Sequence, residues 1–251
     1  MSGADSAGVP WAGRSFDHAP PSTDDGSAPA ELLRVLDRFR AGEVDQAAVV
    51  AVIRTVRLLI PLVAVLGEAG ENAQGRRVDK SQELSIVTVA APDGRAALPV
   101  FSSVAAMTAW NPRARPVPAA GTRVALAAAS EGTELVILDP TSPGEFAVRR
   151  PALWAIAQER DWVPATTDPE VLTAFRASVR GEVDVVRLAA TAGDPDARLA
   201  APELIVQLAL RPGLDRASLD ALLGRVQERW AADAIIAERV DSVALRLASV
   251  D

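Results

Sequence analysis

The stretch of this 251-residue chain best equipped for chemistry is Trp110-Asn111-Pro112-Arg113-Ala114-Arg115-Pro116-Val117-Pro118. An aromatic plane, two guanidinium groups and a stiff, proline-studded backbone could present a bidentate fork to a carboxylate or a phosphate. Trp110, Arg113 and Arg115 are therefore the candidate binding or interface residues. The competing reading packs Trp110 into the core and leaves both arginines to neutralise nearby carboxylates. Trp154, Trp162 and Trp230 read as core or interface residues rather than ligand platforms.

Other chemistry is thin. The chain has no cysteine, which removes disulfides, thiolate nucleophiles, zinc ribbons and Cys-ligated iron–sulfur clusters. Its one histidine, His18, lies in a leader rich in Pro, Ser and Asp, so the folded part has no imidazole for a Ser-His-Asp triad. Ser102-Ser103 is not set in a GxSxG elbow. Gly67, Gly70 and Gly75 share a loop that could aim amides at a phosphate, yet the lysine and hydroxyl of GxxxxGK[ST] are missing and no GxGxxG precedes a helix. Carboxylates are plentiful, but a catalytic dyad needs a fixed separation in a shared cleft, and no DxDxDG calcium loop occurs. No residue is assigned as catalytic, cofactor-binding or metal-ligating. Binding outranks catalysis, and no cofactor is expected.

Charge and hydropathy narrow the partners. With 33 acidic against 26 basic residues the formal net charge is −7, which opposes general binding to a phosphate backbone, so no nucleic-acid partner is expected. Lys80 is the only lysine, a bias toward arginine that GC-rich coding would produce. Hydrophobic residues make up 49% and aromatics 4%, so the chain is globular with cores of small residues. Residues 1–30 contain no apolar signal core. Ala47 to Leu66 has the length of a membrane span, but it carries Arg54, Arg57 and Pro61, and an arginine at the bilayer centre costs ~2.5–3.5 kcal/mol. A short helix and a buried strand fit that segment better. A cytoplasmic protein without a membrane partner is expected.

The elements that would position these residues follow from periodicity. The leader to Pro29 holds only Trp11 and Phe16 as large apolar groups and cannot offset its ordering entropy, so it is expected to be mobile. Leu32, Val35, Leu36 and Phe39 recur on one face of a helix beginning near Glu31. Asp45 can cap a second helix from Gln46 to Arg54, and Val56 to Leu66 reads as a strand buried on both faces, interrupted or at an edge at Pro61. Residues 84–90 and 96–101 form a hairpin across Pro92-Asp93-Gly94, where proline presets φ and glycine accepts a positive one. Ser102-Ser103 caps a helix that ends at Trp110, because Asn111 precedes a proline. Residues 112–118 read as a link. Strands follow at 134–138 and 145–149, then a helix from Pro151 to Arg160.

Residues 161–170 read as a linker. Beyond it, strands at 182–191 and 203–210, a helix capped by Asp215, and a closing strand from Val243 give the order β-β-α-β. Leu219, Leu222, Leu223, Val226 and Trp230 fall on one stripe of that helix. A small, antiparallel-rich sheet covered on one side is expected, with its other face open. The fold class is α+β in two small domains: a leader over 1–29, an amino-terminal mixed α/β sheet domain over 30–160, the linker, and a carboxy-terminal domain over 171–251.

One resemblance spans roughly residues 30–160. Ala97-Leu98-Pro99-Val100-Phe101-Ser102-Ser103, the Trp110 to Pro118 stretch, Leu138-Asp139-Pro140 and Leu153-Trp154-Ala155 together resemble the SseB family, named for enhanced serine sensitivity, in its actinobacterial branch. The resemblance implies an α+β amino-terminal domain and carries over no catalytic residue. The expected function is a non-catalytic cytosolic interaction or regulatory module with a protein partner or self-association through a sheet face or edge. The alternative is a protein or enzyme that binds a small molecule, an amino acid or anionic metabolite, through arginines and carboxylates.

Overall fold

The computed structural model describes residues 24–66 and 82–249. Trp11, Phe16, His18 and the glycines at 67, 70 and 75 lie outside the described residues. Residues 24–29 are tied to the fold upstream of Glu31. Arg57 donates to the Asp24 carboxylate at 2.7 Å and to the Ser102 carbonyl at 2.9 Å, and the Gly26 carbonyl accepts from the Val104 amide at 2.9 Å.

Helices α1 (Ala30–Arg40) and α2 (Gln46–Thr55) form as the apolar spacing predicts, burying Leu32, Val35 and Leu36 on one and Val49, Val50 and Ile53 on the other. The Asp45 carboxylate accepts from the Ala48 amide at 3.1 Å and so satisfies one of the free donors at the start of α2. The apolar run that follows is β1 (Arg57–Leu66). Among the described residues no helix is long and apolar enough to cross a membrane.

Strand β1 runs through Pro61 by changing partner beside it. Leu59 exchanges both backbone bonds with Phe101, at 2.8 and 2.9 Å, and from Leu62 onward β1 pairs with β2 (Gln82–Ile86). The missing Pro61 amide falls in the gap between those two partners. The strand expected over residues 84–90 is thus two elements in different sheets: β2, beside β1, and β3 (Val89–Ala90), which forms the hairpin with β4 (Ala96–Val100).

Helix α3 (Val104–Trp110) starts at Ser103, whose hydroxyl accepts from the Ala106 amide. The expected link over 112–118 instead contains most of a strand, β5 (Arg115–Ala120), antiparallel to β1. Alternation explains how a strand accommodates these prolines. The Gly121 amide donates to the Val56 carbonyl, so odd-numbered positions turn their backbone toward β1, while Pro116 and Pro118 lack amides only along the open edge.

The amino-terminal half closes with α4 (Gly121–Ser130), β6 (Val136–Leu138), β7 (Phe146–Val148) and α5 (Arg150–Ala157). Its sheets run β2-β1-β5 and β3-β4-β6-β7, with β4 and β6 parallel. Helices α1, α2, α4 and α5 pack on them around Leu58, Val100, Leu138 and Phe146. A Cβ on Gly121 would stand 1.9 Å from the Ile53 carbonyl oxygen, so only glycine lets α4 approach α2 this closely.

A second apolar core lies downstream of residue 165. Helix α6 (Pro169–Ser178), not anticipated from the sequence, begins inside the expected linker and precedes β8 (Val185–Ala192) and β9 (Leu204–Leu210). Helices α7 (Arg216–Ala232) and α8 (Ala234–Arg239) then cross to β10 (Val243–Ser249). That crossover makes β10 parallel to β9, while β8 is antiparallel to it, so the sheet β10-β9-β8 is mixed where an antiparallel-rich one was expected.

Its packed face carries Leu204, Val206, Leu208 and Leu210. The predicted stripe of α7 meets it through Leu222, Val226 and Trp230. Ser178 ties α6 to α7, since its hydroxyl accepts from the Trp230 indole at 2.8 Å and its carbonyl from Arg229 at 2.6 Å. The fold is α+β, with eight helices and three sheets among the described residues.

Candidate functional site

Trp110, Arg113 and Arg115 do not converge. Trp110 packs on Phe101, ring centroids 5.2 Å apart, beside Leu59 and Met107. Arg113 and Arg115 are exposed at and just before the open edge strand β5. None of the three lines any of three cavities at the junction of the two halves or a fourth between α2 and Trp162.

That junction is where charged and polar groups gather. Arg149, which follows β7, is 5% exposed and spends its guanidinium on the other half of the chain. One terminal nitrogen donates to the Asp194 carboxylate at 2.7 Å and the Ala201 carbonyl at 2.8 Å. The other donates to the Asp241 carboxylate at 2.9 Å and the Ser242 hydroxyl at 3.2 Å. Asp241 in turn receives both terminal nitrogens of Arg95, at 2.9 and 2.8 Å, and Arg95 also pairs with Asp93 in its own hairpin turn. Arg95 and Arg149 hold the Asp241 carboxyl below its usual range although burial opposes them. Arg150, next in sequence, donates to the Ala237 and Val240 carbonyls at the end of α8.

The loop between β8 and β9 is shaped for this partner. The Asp194 carboxylate accepts from the Arg198 and Leu199 amides as well as from Arg149, folding residues 194–199 around itself. The Gly193 amide donates to the Glu203 carbonyl, and a Cβ there would stand 2.1 Å from the Pro202 oxygen. The loop then enters the amino-terminal half. Its Ala197 carbonyl accepts from the Ala147 amide of β7 at 2.7 Å, and Ala197 and Leu199 join apolar clusters of that half. Arg40 donates to the Asp196 and Glu145 carbonyls, and Gln46 to the Asp194 carbonyl at 3.1 Å.

Beside this loop lies a cavity of about 380 Å³. Phe39, Val44, Trp162, Pro164 and Pro195 give it apolar walls, and Gln46, Thr166 and Glu203 add polar groups. The size and lining are those of a small-ligand site. Trp162 borders two adjoining cavities as well, and its indole nitrogen is the one buried side-chain polar atom among the described residues with no hydrogen-bond partner. Such an orphan donor is uncommon. Among the described residues no group of three or more histidines, aspartates or glutamates could hold a metal ion.

Glu203 links the cavity to the arginine cluster. Its Oε2 accepts from the Asp241 amide at 2.6 Å, and its own amide donates to the Ser242 hydroxyl at 3.0 Å. Burial is the main cause that pushes this carboxyl up to about 7, and the nearby Asp241 adds to it, against the pull of its hydrogen bond and of Arg149 and Arg150. A carboxylic acid poised near neutrality in a cleft is a candidate functional residue. By sequence pattern Glu203 is simply the first residue of a strand, and Gly193-Asp194-Pro195-Asp196 is a turn. The turn chemistry of Gly193-Asp194-Pro195 was the only signal toward either.

Residues 32–155 match the family described as SseB protein N-terminal domain. The chain carries an SseB N-terminal domain. Comparison with curated proteins and with solved structures gives no match. The SseB domain supplies Arg40, Arg95 and Arg149 to the junction. The carboxylates that Arg95 and Arg149 meet at Asp241 and Asp194, together with Glu203, lie beyond the matched residues.

The raised proton affinity of Glu203 predicts a specific pH dependence. The folded state binds a proton that the unfolded chain has released between about pH 4.5 and 7, so this group's contribution to stability is full below that range and lost as pH rises through it. The loss amounts to about 3 kcal/mol, since each tenfold change in proton affinity is worth about 1.36 kcal/mol. Glu203→Gln keeps the acceptor for the Asp241 amide and removes the titration. Denaturant unfolding at pH 5 and pH 8 checks this: the variant gains on the parent by about that amount at the higher pH. A difference that does not change with pH contradicts the assignment.

Proposed function

We propose that the protein is a non-catalytic, ligand-responsive regulatory module in which two domains, one of the SseB family and actinobacterial in type, close around a small molecule. One observation carries this reading: the 380 Å³ cavity between the halves, walled by aromatic and aliphatic groups and floored by Glu203. The arginine cluster beside it supports regulation rather than turnover. Arg95 and Arg149 direct their terminal nitrogens to carboxylates of the other half, so they hold the halves together. A cytoplasmic location is part of the same proposal.

Self-association is the second reading, favoured by the sheet β10-β9-β8. The apolar core uses one face, and the opposite register positions carry Arg187, Ala189 and Thr191 beside Ile205, Gln207 and Ala209. Val186, at the β8 edge, is 52% exposed. Such an edge and face can accept a second chain.

Two measurements test these readings. The 251-residue chain equilibrated with a small-molecule extract of its host, desalted and denatured, should release a retained metabolite that Ala192→Trp, a plug at the exposed mouth of the cavity, does not retain. Equal retention by both, or none by either, removes the ligand reading. Light scattering across a hundredfold concentration range should show a dimer that Val186→Lys dissociates, and a monomer throughout removes the second reading.

A further inference from the structure

The chemistry of the cavity selects among ligands. Its titratable lining is acidic on three sides. Glu203 comes from the start of β9, Asp196 from the loop before it, and Asp45 from the cap of α2. Among the described residues the only lining cation is Arg40, and its terminal nitrogens are engaged by the Asp196 and Glu145 carbonyls. Arg149 lies close to Glu203 but is committed to Asp194 and Asp241. Oε2 of Glu203 accepts from Asp241, whereas Oε1 takes no hydrogen bond among the described residues. The Phe39 ring already carries the Arg40 guanidinium, 5.2 Å from its centroid, which leaves Trp162 as the aromatic group of the lining without a cation over it. A carboxylate oxygen with free lone pairs in a cavity that an indole also lines is the pairing that holds an ammonium group, through a charge-assisted hydrogen bond and cation–π attraction. An anionic ligand would meet three carboxyl groups on the lining instead.

We propose that the cavity binds an organic cation, a primary amine on an apolar body, with Glu203 taking the ammonium and Trp162 flanking it. This rests on the reading of the cavity as a ligand site and names the class of ligand. The apolar body lies against Val44, Pro164 and Pro195. An incoming cation also favours ionisation of Glu203, which burial otherwise opposes.

The test uses three molecules of one shape: 2-phenylethylamine, 2-phenylethanol and phenylacetate, titrated calorimetrically into the full chain at pH 7.5. The amine should bind at least tenfold more tightly than the alcohol, with phenylacetate weakest. Glu203→Gln should lower amine affinity at least tenfold, and Ala192→Trp should abolish it. If Glu203→Gln does not fold, the parent protein answers by NMR: the Trp162 indole resonance should shift with the amine and not with phenylacetate. Binding of the alcohol or the acid as tightly as the amine, lost in Ala192→Trp, overturns the cation assignment while leaving the cavity as a ligand site. Binding of no probe overturns the cation assignment too, and metabolite retention then decides the cavity reading separately. Amine binding that survives Ala192→Trp places the ligand elsewhere and overturns both.

Discussion

A guanidinium withdrawn from water must be matched by acceptors, and the rest of the molecule is arranged around meeting that demand at Arg149. Its side chain is 6% exposed, and the carboxylates it meets, Asp194 and Asp241, are 3% and 0% exposed. Desolvation costs several kcal/mol per ion, so such a cluster persists only where geometry is good and the remaining donors are satisfied. The two terminal nitrogens of Arg149 make four such bonds, with Ala201 and Ser242 completing the set. Because Arg149 sits on one core and both carboxylates on the other, the two halves share one electrostatic requirement. The same requirement shapes the loop from Gly193 to Glu203, which is folded around Asp194 and seated against β7.

The cavity follows from this mode of joining. The halves meet through a loop and an ion cluster rather than across one continuous apolar face, so the clusters centred on Phe146 and on Trp230 remain separate and space stays open between α1, Trp162 and the loop. Glu203 is placed there by its backbone: its amide and carbonyl are held by Ser242 and Gly193, and its carboxyl is bonded to Asp241. A change at its carboxyl is therefore one hydrogen bond away from the residue that Arg95 and Arg149 clamp. That gives a physical route from an occupied cavity to the fit between the two halves.

Local signals were legible and long-range ones were not. The stripes of α1 and α7, the caps at Asp45, Ser103 and Asp215, and the turn between β3 and β4 depend on neighbours within a few residues, and periodicity finds them. Strand β5 was hidden because its prolines suit a free link as well as an open edge. Helix α6 was hidden because Pro169, its cap Asp168 and the preceding threonines suggest a linker. The candidate site was hidden for a different reason. Arg149 lies 45 residues from Asp194 and 92 from Asp241, and no spacing rule relates them. Trp110, Arg113 and Arg115 are close in sequence, yet strand geometry and packing on Phe101 direct them to separate surroundings.

The central claim is that Arg149 makes two cores into one cooperative structure. Trp110 reports the amino-terminal core and Trp230 the carboxy-terminal one, so fluorine-labelled tryptophan in the full chain lets denaturant unfolding be followed at each by NMR. The account predicts coincident midpoints in the parent protein. In Arg149→Ala, where buried Asp194 loses its guanidinium partner and Asp241 keeps only Arg95, at a cost of about 3–5 kcal/mol, the midpoints should separate. Midpoints that differ in the parent, or that stay coincident with unchanged stability in Arg149→Ala, would contradict it.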